Sequence, residues 1–280
     1  MIALKYKLIA MDMDGTLLNS QKQVTEYTKK VLKRASEKGI KLVICTGRIF
    51  TSAKSYARII GTKAPIIASN GAYIREKDRN EVIYEKYIKK ETLLDIIKVT
   101  REWGFYPHIY TTDTIYSEKL IHSSLNYSKW NETVPEDERI NIQIVDSLED
   151  IVEKEGENFL KVVVMALEDE VEKLQELKKY IKENMDVSIF SSYMNNFEIM
   201  DKEVSKGNAL KRLAEFFDID REAIVCFGDN ENDKTMFEFA GFPIAMGNAE
   251  EEIKKIAAYV TDTNDNDGVA KAIEELILRE

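Results

Sequence analysis

A chain of 280 residues is longer than one ordinary hydrophobic core fills, so two cores are expected. Apolar residues make up 44% and charged residues 32%, the balance of a soluble globular protein, not of a disordered one. With 40 Lys and Arg against 50 Asp and Glu, the formal net charge of -10 argues against nucleic acid or an anionic membrane as partner, and no apolar run approaches the roughly 20 residues of a membrane span.

In chain order, Met1 to Lys7 leads directly into an apolar run without the features of a secretion signal, so a cytoplasmic location is expected. That run, Leu8 to Met11, ends abruptly in Asp12, Met13, Asp14, Gly15 and Thr16. It reads as a buried strand, and a buried parallel sheet presents its ligand site at the carboxyl ends of its strands. Asp12 and Asp14 thereby mark a candidate active centre. A simple turn, where Asp, Gly and Thr are common, is the competing reading of the bare motif.

Thr25 can cap a helix carrying Tyr27, Val31 and Ala35 at spacing four, which Gly39 ends. Ile40 to Cys45 is a second buried strand running into Thr46, Gly47 and Arg48. A helix from about Thr51 to Ile60 stops at Gly61, and a third strand, Ile66 to Ala68, meets Ser69, Asn70 and Gly71. Strands alternating with helices of this length predict a parallel, helix-covered sheet.

The pattern changes after about Val82. A helix from Glu91 to Trp103 precedes stretches of alternating polarity at Tyr106 to Tyr110 and Ile140 to Ile144, then an apolar strand at Phe159 to Leu167. A helix carrying Val171, Leu174, Leu177 and Ile181 follows, and Val187 to Tyr193 closes the segment. Alternation predicts an open sheet with helices on one side, hence a second, α+β domain. From Asn196 the first pattern resumes, with a strand at Phe197 to Met200 and a helix opened by Ser205, Lys206 and Gly207. The strand Ile224 to Phe227 ends in Gly228, Asp229, Asn230, Glu231, Asn232 and Asp233; Ile244 to Met246 and Ala258 to Val260 extend the sheet. The expected division is a core of residues 1–82 and 194–280 interrupted by a domain of residues 83–193. Cys45 and Cys226 lie in apolar runs without metal-ligand spacing and read as core residues. Tyr106, Tyr110, Tyr116, Trp130 and Tyr193 read as sheet packing, and His108 and His122 as structural residues and not ligands.

The ordered set Asp12-Met13-Asp14-Gly15-Thr16, Thr46-Gly47-Arg48, Lys206 and Gly228-Asp229 with Asn232-Asp233 resembles the four motifs of the haloacid dehalogenase superfamily of phosphohydrolases. The long insertion, Ser69-Asn70-Gly71 and the GDNEND run are similar to its Cof-type branch with a type IIB α+β cap. The resemblance spans essentially the whole chain. It implies an α/β fold, a Rossmann-like parallel sheet core with an inserted α+β cap domain. It further implies Asp12 as nucleophile and Asp14 as general acid and base. Mg²⁺ would be bound by the Asp12 carboxylate, the Asp14 backbone carbonyl and Asp229, with Asp233 supporting the metal shell. Met13, Thr46, Gly47, Arg48, Asn70, Lys206 and Asn232 would surround the substrate phosphate.

Elementary chemistry asks for the same parts, since a phosphate monoester is a dianion with a poor leaving group and needs a nucleophile, a proton donor and charge neutralisation. Other readings stay open for single residues: a turn or cap for Thr46 and Asn70, a structural ion pair for Arg48, a surface helix-start lysine for Lys206. Asp14 with Asp229 favours phosphate over organohalide chemistry. The expected function is an Mg²⁺-dependent phosphatase of small phosphorylated metabolites, sugar phosphates or related monoesters, working through an aspartyl phosphate. A phosphotransferase or sugar-phosphate mutase, and a phosphorylatable sensor, are the alternatives. The physiological substrate and the oligomeric state are not legible.

Overall fold

The computed structural model describes residues 5–191 and 194–279. Its first strand, β1 (Leu8–Met11), is buried at every position, as befits a strand covered on both faces. Thr25 caps α1 (Glu26–Glu37) by accepting from the Thr28 N–H, and the helix buries Val31, Leu32 and Ala35. There follow β2 (Lys41–Ile44), α2 (Phe50–Ile59), β3 (Ile66–Ala68), β4 (Tyr73–Arg75) and β5 (Val82–Glu85). The middle of the chain supplies α3 (Lys90–Glu102), β6 (His108–Tyr110), β7 (Thr114–Ser117), α4 (His122–Asn131), β8 (Asn141–Ile144) and α5 (Leu148–Glu155). It continues with β9 (Lys161–Met165), α6 (Val171–Asn184), β10 (Val187–Phe190) and β11 (Asn196–Asp201). The last part adds α7 (Lys206–Phe216), β12 (Ile224–Gly228), α8 (Lys234–Phe239), β13 (Phe242–Ala245), α9 (Glu251–Ile256), β14 (Tyr259–Val260) and α10 (Gly268–Leu276).

The described residues within Met1–Arg48, Ala53–Tyr84 and Ser205–Glu280 form one compact unit, and those within Ile49–Ser52 and Glu85–Val204 a second. In the first unit a parallel sheet runs β14-β13-β12-β1-β2. β1 lies between β2 and β12, so connections leave it toward opposite sides, and its carboxyl end is a switch point of the kind where α/β sheets open a crevice. The strand Ile66–Ala68 departs from expectation. It pairs antiparallel with β4 in a separate three-stranded sheet and meets the main one through a bridge between Cys45 and Ile67.

The second unit has a six-stranded sheet, β10-β11-β9-β6-β7-β8. Helices α3, α5 and α6 bury Leu93, Ile97, Leu148, Val152, Leu174 and Leu177 against Val162, Val164 and Ile199. Tyr127 and Trp130 of α4 pack with Tyr110, Ile115 and Val163, so the one-sided arrangement predicted from alternation is incomplete. A larger correction concerns β11. Expected in the core, it pairs antiparallel with β10 and β9, so the chain re-enters the first unit at Ser205 and not at residue 194. Its first four residues alternate in burial, as suits a strand with an antiparallel neighbour on each side, and Met200 is buried as well.

Cys45 and Cys226 are free and buried. Tyr110 and Tyr116 are buried, Tyr106 is exposed, and Tyr193 lies outside the described residues. His108 is buried with its Nε2 beside Ile121 O and Ser124 Oγ, a structural setting, and burial pushes its imidazole down to about 4. No helix among the described residues is long and apolar enough to cross a membrane.

Candidate active site

The carboxyl ends of β1 and β12 are neighbours in the sheet, and each runs directly into aspartates. Asp12 is the first residue after β1, its N–H donating to Phe227 O across the register at 3.1 Å. Asp229 and Asp233 follow β12. Oxygens of these three side chains lie within 4.8 Å of one another. Into this cluster comes Lys206, the first residue of α7, fully buried. Its Nζ donates to Asp12 Oδ1 at 2.5 Å and to Asp233 Oδ1 at 2.6 Å. The neighbouring Gly207 makes that depth possible, because a Cβ there would run into the Thr235 carbonyl of α8. Lys206 is therefore an interior cation and not a surface helix-start lysine.

Asp233 has both oxygens engaged: Oδ2 accepts from the N–H of Asp229 at 2.8 Å and of Asn230 at 3.2 Å. Asp229 Oδ1 accepts from Thr16 Oγ1 at 2.6 Å. Gly15, with φ +81°, turns the chain so closely past Asp229 that a side chain would collide with the carboxylate. The electrostatics follow from counting three acids against one lysine. Burial pushes the Asp12 carboxyl up to about 7 against the pull of Lys206, with Asp233 and Asp14 adding to the rise. Burial, then Asp12 and Asp233, push Asp229 up to about 8. Burial opposes the charge on Lys206 too, yet Asp12 and Asp233 hold its ammonium well above the usual lysine range.

Asp14 sits apart from the three. Arg48 grips its carboxylate bidentately, Nε at 2.7 Å and an Nη at 2.8 Å, and Lys22 Nζ reaches it at 2.8 Å. Burial resists ionisation here as well, but the Arg48 fork and Lys22 together hold the Asp14 carboxyl well below the usual carboxylate range. The ring of Tyr56 lies 4.9 Å from the Arg48 guanidinium, and its hydroxyl donates to Lys22 O at 3.3 Å. Arg48 is thus in an ion pair, with the candidate acid and base Asp14 as its partner.

Thr46 and Asn70 are both buried, and the Asn70 N–H donates to Thr46 O. Asn232 donates from Nδ2 to Asn70 Oδ1 at 3.1 Å, which links β12's loop to β3's. Gly47 leaves room for the Asn70 side chain. Ser69, Asn70 and Gly71 all have positive φ, and the Ser69 Oγ is buried with no hydrogen-bond partner. Met13 is buried, its carbonyl accepting from the Leu18 N–H. Each candidate site residue read from the sequence thus neighbours, along the chain or by a hydrogen bond, the three-carboxylate cluster or the Asp14 pair. Lys22 was not singled out; a loop lysine among 40 basic residues carries no sequence signal.

Comparison with known proteins agrees in kind. A family profile described as haloacid dehalogenase-like hydrolase matches residues 9–273. The phosphatase YwpJ of Bacillus subtilis is 33% identical over 287 residues, covering 97% of this chain and 100% of the relative. A 5-amino-6-(5-phospho-D-ribitylamino)uracil phosphatase of the same organism, YwtE, is 31% identical over 286 residues, with 97% and 98% covered. The solved structure of a haloacid dehalogenase-like hydrolase from B. subtilis superposes with a TM-score of 0.85 at 33% identity, covering 96% of this chain and 99% of that one.

Proposed function

Because the chain belongs to the haloacid dehalogenase-like hydrolases, we propose that it is a phosphatase of small phosphorylated metabolites, with Asp12 as nucleophile and Asp14 as acid and base. The observation that carries this reading is the buried cluster of three carboxylates around one lysine at the switch point of the sheet. It holds more negative charge than Lys206 offsets, and its donors are hard oxygens, the set suited to a divalent cation such as Mg²⁺. Asp12 and Asp229 would hold that cation, with Asp233 orienting the loop of Asp229 through its N–H. When bound, it neutralises charge on the transferred phosphoryl group.

The remaining work falls to the chain. The Asp12 carboxylate attacks phosphorus as the bond to the leaving oxygen breaks, and that oxygen takes a proton from Asp14. Lys206 keeps the Asp12 carboxylate oriented and balances its charge. In the second step water attacks phosphorus, Asp14 takes the proton, and the bond between Asp12 and phosphorus breaks. The Asp14 carboxylate gripped by Arg48 and Lys22 is the ionised form that this second step requires; the first step needs the protonated acid, which Asp14 becomes only when the substrate draws Arg48 or Lys22 away from it. Thr46, Gly47, Asn70 and Asn232 supply polar groups for the phosphate oxygens, and Met13 walls the nucleophile. Relatives named for a ribitylaminouracil phosphate and for pyridoxal phosphate support a small monoester as the substrate class, with sugar phosphates within it. The net charge of -10 weighs against nucleic acid or an anionic membrane as partner.

The test is release of inorganic phosphate from an aryl phosphate with Mg²⁺ and with chelator. Turnover that stops with chelator and in Asp12→Asn is expected. Full activity of Asp12→Asn would exclude the reading, and transfer of label to an added sugar in preference to water would turn it into a phosphotransferase.

A further inference from the structure

The loop that follows Asp14 is tied down by the far end of the chain. Asn248 Nδ2 donates to Gly15 O at 2.8 Å, and its Oδ1 accepts from the Asn264 N–H at 2.9 Å. Asn264 Nδ2 in turn donates to Leu18 O at 2.8 Å. Next to it, both Asp265 oxygens accept from Ser20, from N–H at 2.7 Å and from Oγ at 2.5 Å, and Asp267 accepts from the α1 cap Thr25 at 2.5 Å. Four polar side chains of residues 248–267 thus hold residues 15–25 across more than 200 residues of sequence separation.

The points held are the ones on which Asp14 depends. Leu18 forms an isolated bridge with Asp14, Gly15 is its next neighbour, and the loop carries Lys22, whose ammonium meets the Asp14 carboxylate. On its other side the turn passes so close to Asp229 that Gly15 has no room for a side chain. The backbone thus lies between the asparagine hydrogen bonds and the Asp229 carboxylate. Without the asparagines it would be an irregular loop free to relax away from the sheet.

We propose that Asn248 and Asn264 are positioning residues that act through the backbone of Gly15 and Leu18 to set the place of Asp14. The proposal rests on the phosphatase reading for its kinetic consequence and on hydrogen exchange for its structural one. Asn248→Leu and Asn264→Leu keep side-chain size, remove the amide and add no charge; Asn248→Asp removes the same donor at unchanged shape. Each is expected to lower kcat on an aryl phosphate about tenfold with KM within about twofold, since small misplacements of a reacting group act on the chemical step. Amides of residues 15–24 should exchange about tenfold faster while those of β12 and β13 stay protected. Asn266→Ala, in the same segment but bonded to Asp262, should leave both readouts unchanged. Wild-type kcat in the two leucine variants overturns the proposal, whether or not exchange rises, and so does unchanged exchange. A wild-type protein without phosphatase activity would sink the functional reading instead, and exchange over residues 15–24 would still decide the clamp.

Discussion

Both compact units bury a lysine against carboxylates, and the difference between the two sites separates chemistry from architecture. In the second unit Lys161 of β9 meets Glu198 of the adjacent β11 at 3.0 Å, with Tyr110 at 4.8 Å under the ammonium. A cation and an anion on neighbouring strands balance. In the first unit Lys206 serves Asp12 and Asp233 while Asp229 stands within reach of both acids. That arrangement is over-negative, and folding alone gives no reason to bring its members together from β1, α7 and β12. A balanced pair is complete as it stands; an unbalanced cluster has a partner to gain.

The largest effect expected from this contrast is Asp12→Asn, which should cost at least about 10⁴-fold in kcat, as loss of a nucleophile does. The same change removes one of three crowded acids, so the metal-free variant should melt no lower than wild type. Loss of activity through unfolding, seen as a lowered melting temperature, would count against a catalytic role. Next comes Lys206→Met, which leaves Asp12 and Asp233 buried without their cation and should destabilise by about 3–5 kcal/mol. Replacing the balanced pair with Lys161→Met and Glu198→Leu together should be neutral or stabilising, by up to about 4 kcal/mol in chemical denaturation. A double variant of the second unit as unstable as Lys206→Met would erase the distinction between the two sites.

Much of this was legible in the sequence, and the rest was hidden for physical reasons. Leu8 to Met11, Ile40 to Cys45 and Ile224 to Phe227 read as strands because parallel strands covered on both faces are unbroken apolar runs, and their polar tips mark one end of the sheet. Phe197 to Met200 reads as a strand but not as a member of its sheet, since a strand's own residues say nothing of the neighbour it pairs with. The helix His122–Asn131 has no apolar stripe and was invisible, as was Thr114–Ser117, four residues in a polar stretch. At the site, residue type and motif order pointed to the aspartates and to Lys206. The grip of Arg48 and Lys22 on Asp14, and the asparagines 248 and 264, depend on where loops return, which no local pattern encodes.

The third test uses pH and cation. Asp12 and Asp229 carry raised carboxyl values, about 7 and about 8, so between about pH 4 and 8 they hold more protons in the folded chain than in the unfolded one; His108, lowered to about 4, works the other way up to about pH 6.5, which leaves about pH 6.5 to 8 as the window in which the aspartates are unopposed. Stability of the metal-free protein should therefore fall as pH rises through that window. Mg²⁺ competes with those protons, so its stabilising effect should be larger at pH 8.5 than at pH 6, read as the shift in melting temperature at fixed Mg²⁺. Chelator should have no effect on a variant in which both Asp12 and Asp229 are changed to Asn. A metal-free melting temperature that climbs from about pH 6.5 to 8 would mean that the cluster is not held under mutual repulsion.

The smallest effect tests whether the first unit gives up stability at its site in finer ways too. Ser69 sits at φ +49° with its Oγ buried and without a partner, two separate costs in one residue. Its N–H donates to Arg48 O, and the next N–H to Thr46 O, so the left-handed turn links the two strand tips that carry the candidate phosphate ligands. Ser69→Gly removes the strained Cβ and the orphan hydroxyl while adding backbone freedom to the unfolded chain, a net gain of about 1 kcal/mol. That gain should appear as a higher midpoint in urea. If the turn is held left-handed to fix Thr46 and Asn70, the more flexible glycine should raise KM for an aryl phosphate severalfold even as the protein becomes more stable. Higher stability with unchanged KM would instead make the strain incidental to the site, and would leave the imbalance of charge around Lys206 as what distinguishes it from the second unit's pair.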